Sequence, residues 1–423
     1  MHYFFGPACC FRFLRASPRV ACTLLPAPLY YTECNLNRTF RVARLLGIPV
    51  EVNVSWLFTI VFVTAFLALS VYPEIIPAGS PNRDKEWLHW IMALSSGLIF
   101  FGSIIVHEFA HSVIALRYGI PVKSITLFIF GGVSQIGGEA KRPRHEFLMA
   151  IAGPFTSLIM AAMFFGLWYL TGGNEDSPVT IVLEWLFLMN LIIAAFNMAP
   201  GFPMDGGRVL RSVIWGVSGN LYRATRLATL VGRSMGYSLM IVGGLAFIGL
   251  FEEYISPWSG LWFALLGLFL ESSARQAWFQ AKALELLSGF TAEDIMSEDL
   301  PTTDSQVALA FLANRTDEHY IYFVENDADR VIGVLTEKEV STVEPDLRRT
   351  ATAGEVMSET NTVPVAALKE DGATILQRME TSDTWMMPVV SEGNVVGVVS
   401  KMSLLRLLAR SFMPPEPAAA GQQ

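Results

Sequence analysis

Two stretches of this chain bring together residue types that do metal chemistry. The first is His107-Glu108-Phe109-Ala110-His111. Residues four apart on a helix face the same way, so both imidazoles can reach one ion. Zinc takes imidazole nitrogen at about 2.0–2.1 Å and keeps a position for water in catalytic sites. A glutamate beside the first histidine can accept the proton of that water. Two histidines and a water leave zinc a ligand short, so a third protein ligand is expected elsewhere. The second stretch runs Asn197-Met198-Ala199-Pro200-Gly201-Phe202-Pro203-Met204-Asp205-Gly206-Gly207-Arg208 and holds a single acid, Asp205. Two prolines break the helix ahead of it. The two glycines behind it are expected to free the backbone to turn.

The elements that must hold these residues are membrane helices. Of 423 residues, 52% are apolar and only 16% charged, and the mean hydropathy is +0.43. A soluble globular chain rarely reads that way. Six stretches approach the roughly 20 apolar residues that cross the hydrocarbon. They run from about Val54 to Tyr72, from Trp87 past His111, from Glu146 to Leu170 with a break at Ala152-Gly153-Pro154, from Ile181 to Met198, from Ala228 to Leu250, and from Trp258 to about Leu270. Ionisable groups inside a span cost roughly 2.5–3.5 kcal/mol each on insertion scales. Mutual pairing as structural glue would account for one His and one Glu. It gives no reason for a second His at ligand spacing.

Lys and Arg near the span ends orient the bundle. Arg38, Arg41 and Arg44 precede span one; Arg117, Lys123, Lys141, Arg142 and Arg144 link spans two and three; Arg208, Arg211, Arg223 and Arg226, with Arg233 close by, link spans four and five. On the other side Gly172 to Pro178 and Glu252 to Ser256 hold no basic residue, and Pro73 to Glu86 holds only Arg83 and Lys85. Both termini are therefore expected in the cytoplasm. His107, His111 and Asp205 then come to the same depth, in the cytoplasmic half, from different helices. His89, between Trp87 and Trp90, reads as interfacial, and His145 as a surface residue.

From position 279 onward the chain carries 11 Lys/Arg against 23 Asp/Glu, whereas the first 278 residues carry 19 against 15. An acidic soluble tail thus follows a slightly basic, apolar body. Neither part has the basic patches that bind nucleic acid. The tail contains a repeat: Thr291-Ala-Glu-Asp-Ile-Met-Ser-Glu matches Thr352-Ala-Gly-Glu-Val-Met-Ser-Glu, and Val331-Ile-Gly-Val-Leu-Thr matches Val395-Val-Gly-Val-Val-Ser. This pattern resembles a pair of CBS motifs, expected at 290–345 and 350–410, with a disordered end at 411–423. In that family a Gly-x-x-Thr/Ser-x-x-Asp ending lets the aspartate grip an adenosine ribose. Here Thr336 and Ser400 match, but Glu339 and Ser403 stand at the aspartate position. A docking or dimerising role is therefore favoured over an adenine nucleotide ligand, and a homo-oligomer is compatible with it. His319 lies in this tail. All four cysteines (Cys9, Cys10, Cys22, Cys34) fall in the first 34 residues, which excludes a disulfide scaffold for the body. Residues 1–37 read as a disordered extension or as sequence upstream of the true start, with a Cys-based metal or redox role as the lesser reading.

The body, roughly 38–278, resembles the site-2 protease family of intramembrane zinc metalloproteases. The likeness rests on two separated motifs, His-Glu-x-x-His and Asn-x-x-Pro-x-x-Pro-x-Asp-Gly. It implies one zinc ion on His107, His111 and Asp205, with Glu108 as general base and Asn197 holding substrate or polarising the scissile carbonyl. The CBS pair is similar to that of the CBS-bearing subgroup. The fold expected is a polytopic α-helical membrane protein of about six spans followed by a soluble α/β CBS-pair module. The activity expected is cleavage of single-span membrane proteins within or beside their span, as in regulated intramembrane proteolysis. Anti-sigma factors, pro-sigma factors and remnant signal peptides are candidate substrates, and a prokaryotic plasma membrane is the expected location. Ile125 to Ile136, apolar and β-prone around Gly131-Gly132, corresponds to the family's β-hairpin or re-entrant loop, where a strand edge can capture an unwound substrate. The alternatives are a CBS-gated channel or transporter with His, Glu and Asp lining a path, and an inactive relative that binds without cutting.

Overall fold

The structure, a computed structural model, describes residues 39–128, 131–174, 176–251, 253–312, 321–326, 331–344, 346–360, 362–382 and 384–412. The four cysteines, the expected N-terminal extension and His319 lie outside the described residues. Two compact units divide the chain. One comprises the residues up to Ile105, Lys123–Gln135 and Gly173–Val182; the other comprises Val106–Val122, Ile136–Gly172 and everything from Leu183 onward.

The first unit opens with strands β1 (Thr39–Leu45) and β2 (Ile48–Asn53), paired antiparallel about a turn at Leu46-Gly47. Both turn residues are left-handed, with φ of 47° and 86°. Hairpin turns of this type favour Asn or Gly, and a left-handed leucine costs about 1–2 kcal/mol. Strand β2 also pairs, in parallel, with β3 (Val122–Phe128), and β4 (Gly131–Ile136) completes the sheet in the order β1-β2-β3-β4. The strands expected at Ile125 to Ile136 are thus present, with β4 at the edge of the sheet. Helix α1 (Val54–Ile75) starts directly after β2, where the Asn53 side chain accepts the Ser55 N–H at 2.9 Å. It packs on α2 (Glu86–Arg117) through a Trp56–Phe101 edge contact and a Tyr72–Ser96 hydrogen bond. His89 is buried in α2 while its neighbours Trp87 and Trp90 are exposed, so only the tryptophans have the interfacial setting expected of all three.

The second unit contains α3 (Pro143–Leu170), α4 (Pro178–Asn197) from Leu183 onward, α5 (Asp205–Ser218), α6 (Leu221–Phe247) and α7 (Pro257–Leu287). Helix α3 runs unbroken through the Ala152-Gly153-Pro154 segment read as a break. Gly153 and Pro154 are both buried there, and packing against neighbouring helices tolerates such residues. His145 is half-buried, its ring stacked on Tyr118 at 4.0 Å. Helices α6 and α7 touch backbone to backbone: a Cβ on Gly243 would lie 2.4 Å from the Ala264 nitrogen, and one on Gly267 2.6 Å from the Gly236 oxygen.

Among the described residues, five helices are long and apolar enough to cross a membrane: α1, α2, α3, α4 and α6. The sixth expected span, Trp258 to Leu270, is the first half of α7. That helix continues past the buried Glu271, which Arg233 and Tyr237 of α6 engage at 3.2 and 3.1 Å, and ends on Leu287 in the core of the tail.

Among the described residues, the tail has two small sheets, β5-β6-β7-β8 (from Thr302–Asp304 through Ile321–Glu325 and Val331–Thr336 to Ser358–Glu359) and β11-β10-β9 (Asn394–Ser400, Met386–Ser391, Ala366–Ala367). Each copy's opening segment completes the other copy's core. Ala292 and Ile295 pack with Ile375, Met387 and Val399, whereas Ala353 packs with Leu309, Tyr322 and Leu335. Capping boxes at Thr291/Asp294 and Thr352/Glu355 start the two segments, which gives the repeated Thr-Ala-x-Asp/Glu a physical reason. The last helix reaches Phe412, two residues into the stretch expected to be disordered.

Candidate metal centre

Helix α2 places His107 and His111 one turn apart, with ring centroids 4.9 Å apart and the rings edge to face. Their Nε2 atoms lie 3.2 Å from each other, and Asp205 Oδ2 lies 3.2 Å from His107 Nε2 and 3.1 Å from His111 Nε2. Both histidines are 4% exposed. The structure thus brings the three predicted ligands together as a group able to hold a metal ion.

Helix α3 aims the imidazoles. His111 Nδ1 donates to the Met149 carbonyl at 2.6 Å, and His107 Nδ1 meets Ser157 Oγ at 2.9 Å. A carbonyl can only accept, so His111 Nδ1 keeps its proton and its Nε2 is left bare for a cation, while the Ser157 hydroxyl orients the His107 ring. Gly153 lies midway between Met149 and Ser157 on the same helix face. A Cβ there would stand 2.5 Å from His107 Nε2 and 2.3 Å from His111 Nε2. Only glycine leaves room for both rings.

Asp205 is the first residue of α5, after a loop with a cis Phe202-Pro203 bond. Gly206 and Gly207, expected to free a turn, are instead helical. Their missing side chains let the loop fold back, since a Cβ would lie 2.3 Å from the Met198 oxygen or from the Gly201 carbonyl carbon. Arg211, further along α5, pairs with the buried Glu146 of α3 and sets its guanidinium 5.2 Å from the centre of the Phe202 ring. One arginine therefore ties the helix that orients the histidines to the loop that presents Asp205. Glu108 is half-buried next to His107, and Asn197 is half-buried as the last residue of α4.

The donor set fits zinc. A tetrahedral ion with bonds of about 2.0 Å has ligand–ligand edges of about 3.3 Å, and the three edges here are 3.1, 3.2 and 3.2 Å. Three converging protein ligands, rather than four, are the pattern of a catalytic zinc site. Sequence reasoning missed Met149, Gly153, Ser157 and the Glu146–Arg211 pair. A glycine and a serine four residues apart within an apolar span were the available signal.

Comparison with known proteins identifies the family. The model for peptidase family M50 matches residues 96–180 and 172–242, and the CBS domain model matches 353–410. A Synechocystis protein named "Putative zinc metalloprotease sll0528" is 31% identical over 388 residues, 89% of this chain and 97% of its own. Rip3 of Mycobacterium tuberculosis, with the same description, is 30% identical over 390 residues, 89% of this chain and 94% of its own. Among solved structures, the site-2 protease from Methanocaldococcus jannaschii aligns over 57% of this chain and 95% of its own at 24% identity, with a TM-score of 0.39. The chain is a metalloprotease whose cofactor is zinc, and it belongs to peptidase family M50, the site-2 protease family.

Proposed function

We propose that this chain cuts single-span membrane proteins within or beside their transmembrane segment, holding one zinc ion on His107, His111 and Asp205. The carrying observation is the near-tetrahedral edge lengths among two Nε2 atoms and one carboxylate oxygen on separate helices. Zinc bound there supplies a Lewis acid for the peptide carbonyl and acidifies a water. Glu108 takes the proton of that water and delivers it to the leaving amine. Asn197 steadies the scissile carbonyl through its side-chain amide. The Met149 carbonyl keeps His111 in the metal-ready tautomer, and Ser157 orients the His107 ring. Because a membrane helix hides its peptide bonds, the substrate must unwind, and an edge strand such as β4 offers backbone partners to an extended segment.

In this reading the apolar half of α7 is a sixth span and both termini lie in the cytoplasm of a prokaryotic cell, in agreement with the Lys/Arg bias. The tail acts in docking or dimerisation rather than as an adenine nucleotide sensor. Support comes from Glu339, whose two oxygens already accept from Thr336 and Ser358, and from Ser403, which caps Ser400 reciprocally.

The test is zinc content together with cleavage of a membrane-anchored reporter, for wild type and Glu108→Gln. Zinc is expected in both, with cleavage lowered about 10²–10⁴-fold in the variant. Equal cleavage, or a folded wild type without zinc, would overturn the reading.

A further inference from the structure

The first sheet has an apolar side that extends beyond the protein covering it. Cross-strand pairing puts Phe40 opposite Val52, Ala43 opposite Val50 and Leu45 opposite Ile48, so these six share one face. On β2 that face is covered, with Ile48 and Val50 each 3% exposed. On β1 it is bare: Phe40 is 55% and Leu45 39% exposed. Val42, where the register slips, is 68% exposed, and Leu46 at the tip of the turn is 78% exposed. The opposite face carries Arg41, across from Glu51, and Arg44, across from Pro49.

Leu46 breaks two rules at once. It occupies a left-handed position that suits Asn or Gly, and it offers a large apolar side chain to solvent at the end of a ribbon. In water neither feature gains anything. A bilayer edge changes that. Strand β2 ends on Asn53, the cap of α1, and the exposed apolar surface of that span begins with Leu57 and Phe58. The ribbon therefore starts where the span leaves the hydrocarbon.

We propose that the β1–β2 ribbon is an interfacial anchor that lies flat on the bilayer surface. Phe40, Val42, Leu45 and Leu46 dip into the acyl boundary, and Arg41 and Arg44 reach lipid phosphates from the other face. The outer edge of β1, which has no strand partner among the described residues, limits the depth, because its backbone groups need water or headgroups as partners. This inference rests on α1 being a membrane span and is independent of the metal site.

The experiment uses the full chain in lipid nanodiscs, with Cys9, Cys10, Cys22 and Cys34 changed to Ser. Single nitroxide labels go on Val42→Cys, Leu46→Cys and Arg44→Cys, and a tail position serves as the aqueous standard. Power-saturation spectroscopy compares collisions with oxygen, which partitions into lipid, against a water-soluble nickel chelate. Labels at 42 and 46 should favour oxygen severalfold over the tail standard, with the label at 44 between them. Nickel collisions at 42 and 46 equal to the standard would put the ribbon in water and overturn the proposal. Weak collisions with both reagents would overturn it too, because a protein cover, from the chain's own first residues or a second copy, would then occupy the face. Zinc content and reporter cleavage, measured on the same labelled chains, report the metal site separately.

Discussion

The metal centre and the ends of the two tail repeats are built from similar polar residues and finish in opposite states. At the metal centre, the Met149 carbonyl and the Ser157 hydroxyl of α3 are spent on the far nitrogens of His111 and His107. What remains is acceptor against acceptor, two Nε2 atoms and Asp205 Oδ2 at 3.1–3.2 Å. Such a set is stable only with a cation or extra protons among its members. In the tail, Glu339 stands at a position that holds a ligand-gripping acid in the CBS pattern. Its oxygens are filled instead by the Thr336 backbone at 2.9 Å, the Thr336 hydroxyl and the Ser358 hydroxyl at 2.9 Å. Ser400 and Ser403 fill each other at 3.0–3.1 Å. Residue type does not decide whether a polar cluster can take a ligand. The donors already beside it do.

The comparison breaks hardest at Gly153→Ala, because the added methyl enters the space of both Nε2 atoms. Zinc content should fall to background and cleavage should disappear while helix content holds. A stoichiometric zinc content in this variant would show that the clearance is not needed. Next is Glu146→Gln, which leaves the half-buried Arg211 with a weakened partner and should cost up to about 3 kcal/mol of stability. Thermal unfolding in micelles would show it, and the double variant Glu146→Leu with Arg211→Met should recover most of the loss, since an apolar pair carries no uncompensated charge. Smaller again is Ser157→Ala. Supports of this kind typically govern metal affinity or activity by 10–100-fold, so zinc retention against a graded chelator should weaken by that factor. Unchanged retention would make the hydroxyl a bystander.

These sites were legible in the sequence to different degrees. His107, Glu108 and His111 needed only helical spacing, because their geometry is local. Asp205 could be picked out because it is the single acid on a proline-broken segment. Gly153 was visible and misread: Gly-Pro in an apolar run suggests a break, whereas its role depends on rings that approach from another helix. Gly206 and Gly207 were misread in the same way, as turn formers rather than as clearance for a loop folded back over them. Strand β1 was missed. Its alternation is disturbed where the register slips near Val42, and its turn is Leu-Gly, without the Asn or Asp that signals a hairpin. The continuation of α7 to Leu287 was missed because its second half is polar, although a helix needs no continuous apolar run to persist.

The smallest expected effect tests the closed side of the comparison. Burial pushes the Glu339 carboxyl up, but hydrogen bonds from Thr336 and Ser358 and from the backbone outweigh it and hold the group below the ordinary value of 4.5. A carboxyl lowered on folding adds stability that is fully present above its unfolded pKa and is lost as pH falls through the folded one. Wild type should therefore exceed Glu339→Gln in tail stability near neutrality, by about 1 kcal/mol for charge-assisted bonds on a partly exposed group. The gap should close progressively below about pH 4.5. Asp294, lowered by its bonds to Thr291, titrates in the same window but is common to both chains and cancels in the difference. Trp385 is the one tryptophan beyond position 278. Its fluorine resonance in chains carrying 5-fluorotryptophan reports unfolding of the tail in urea without separating it from the membrane body. A gap that persists at low pH would mean the carboxylate is not what closes this cluster. If millimolar ATP shifted the same resonance in wild type, the cluster would open to a ligand after all, and the contrast with the metal centre would be one of degree.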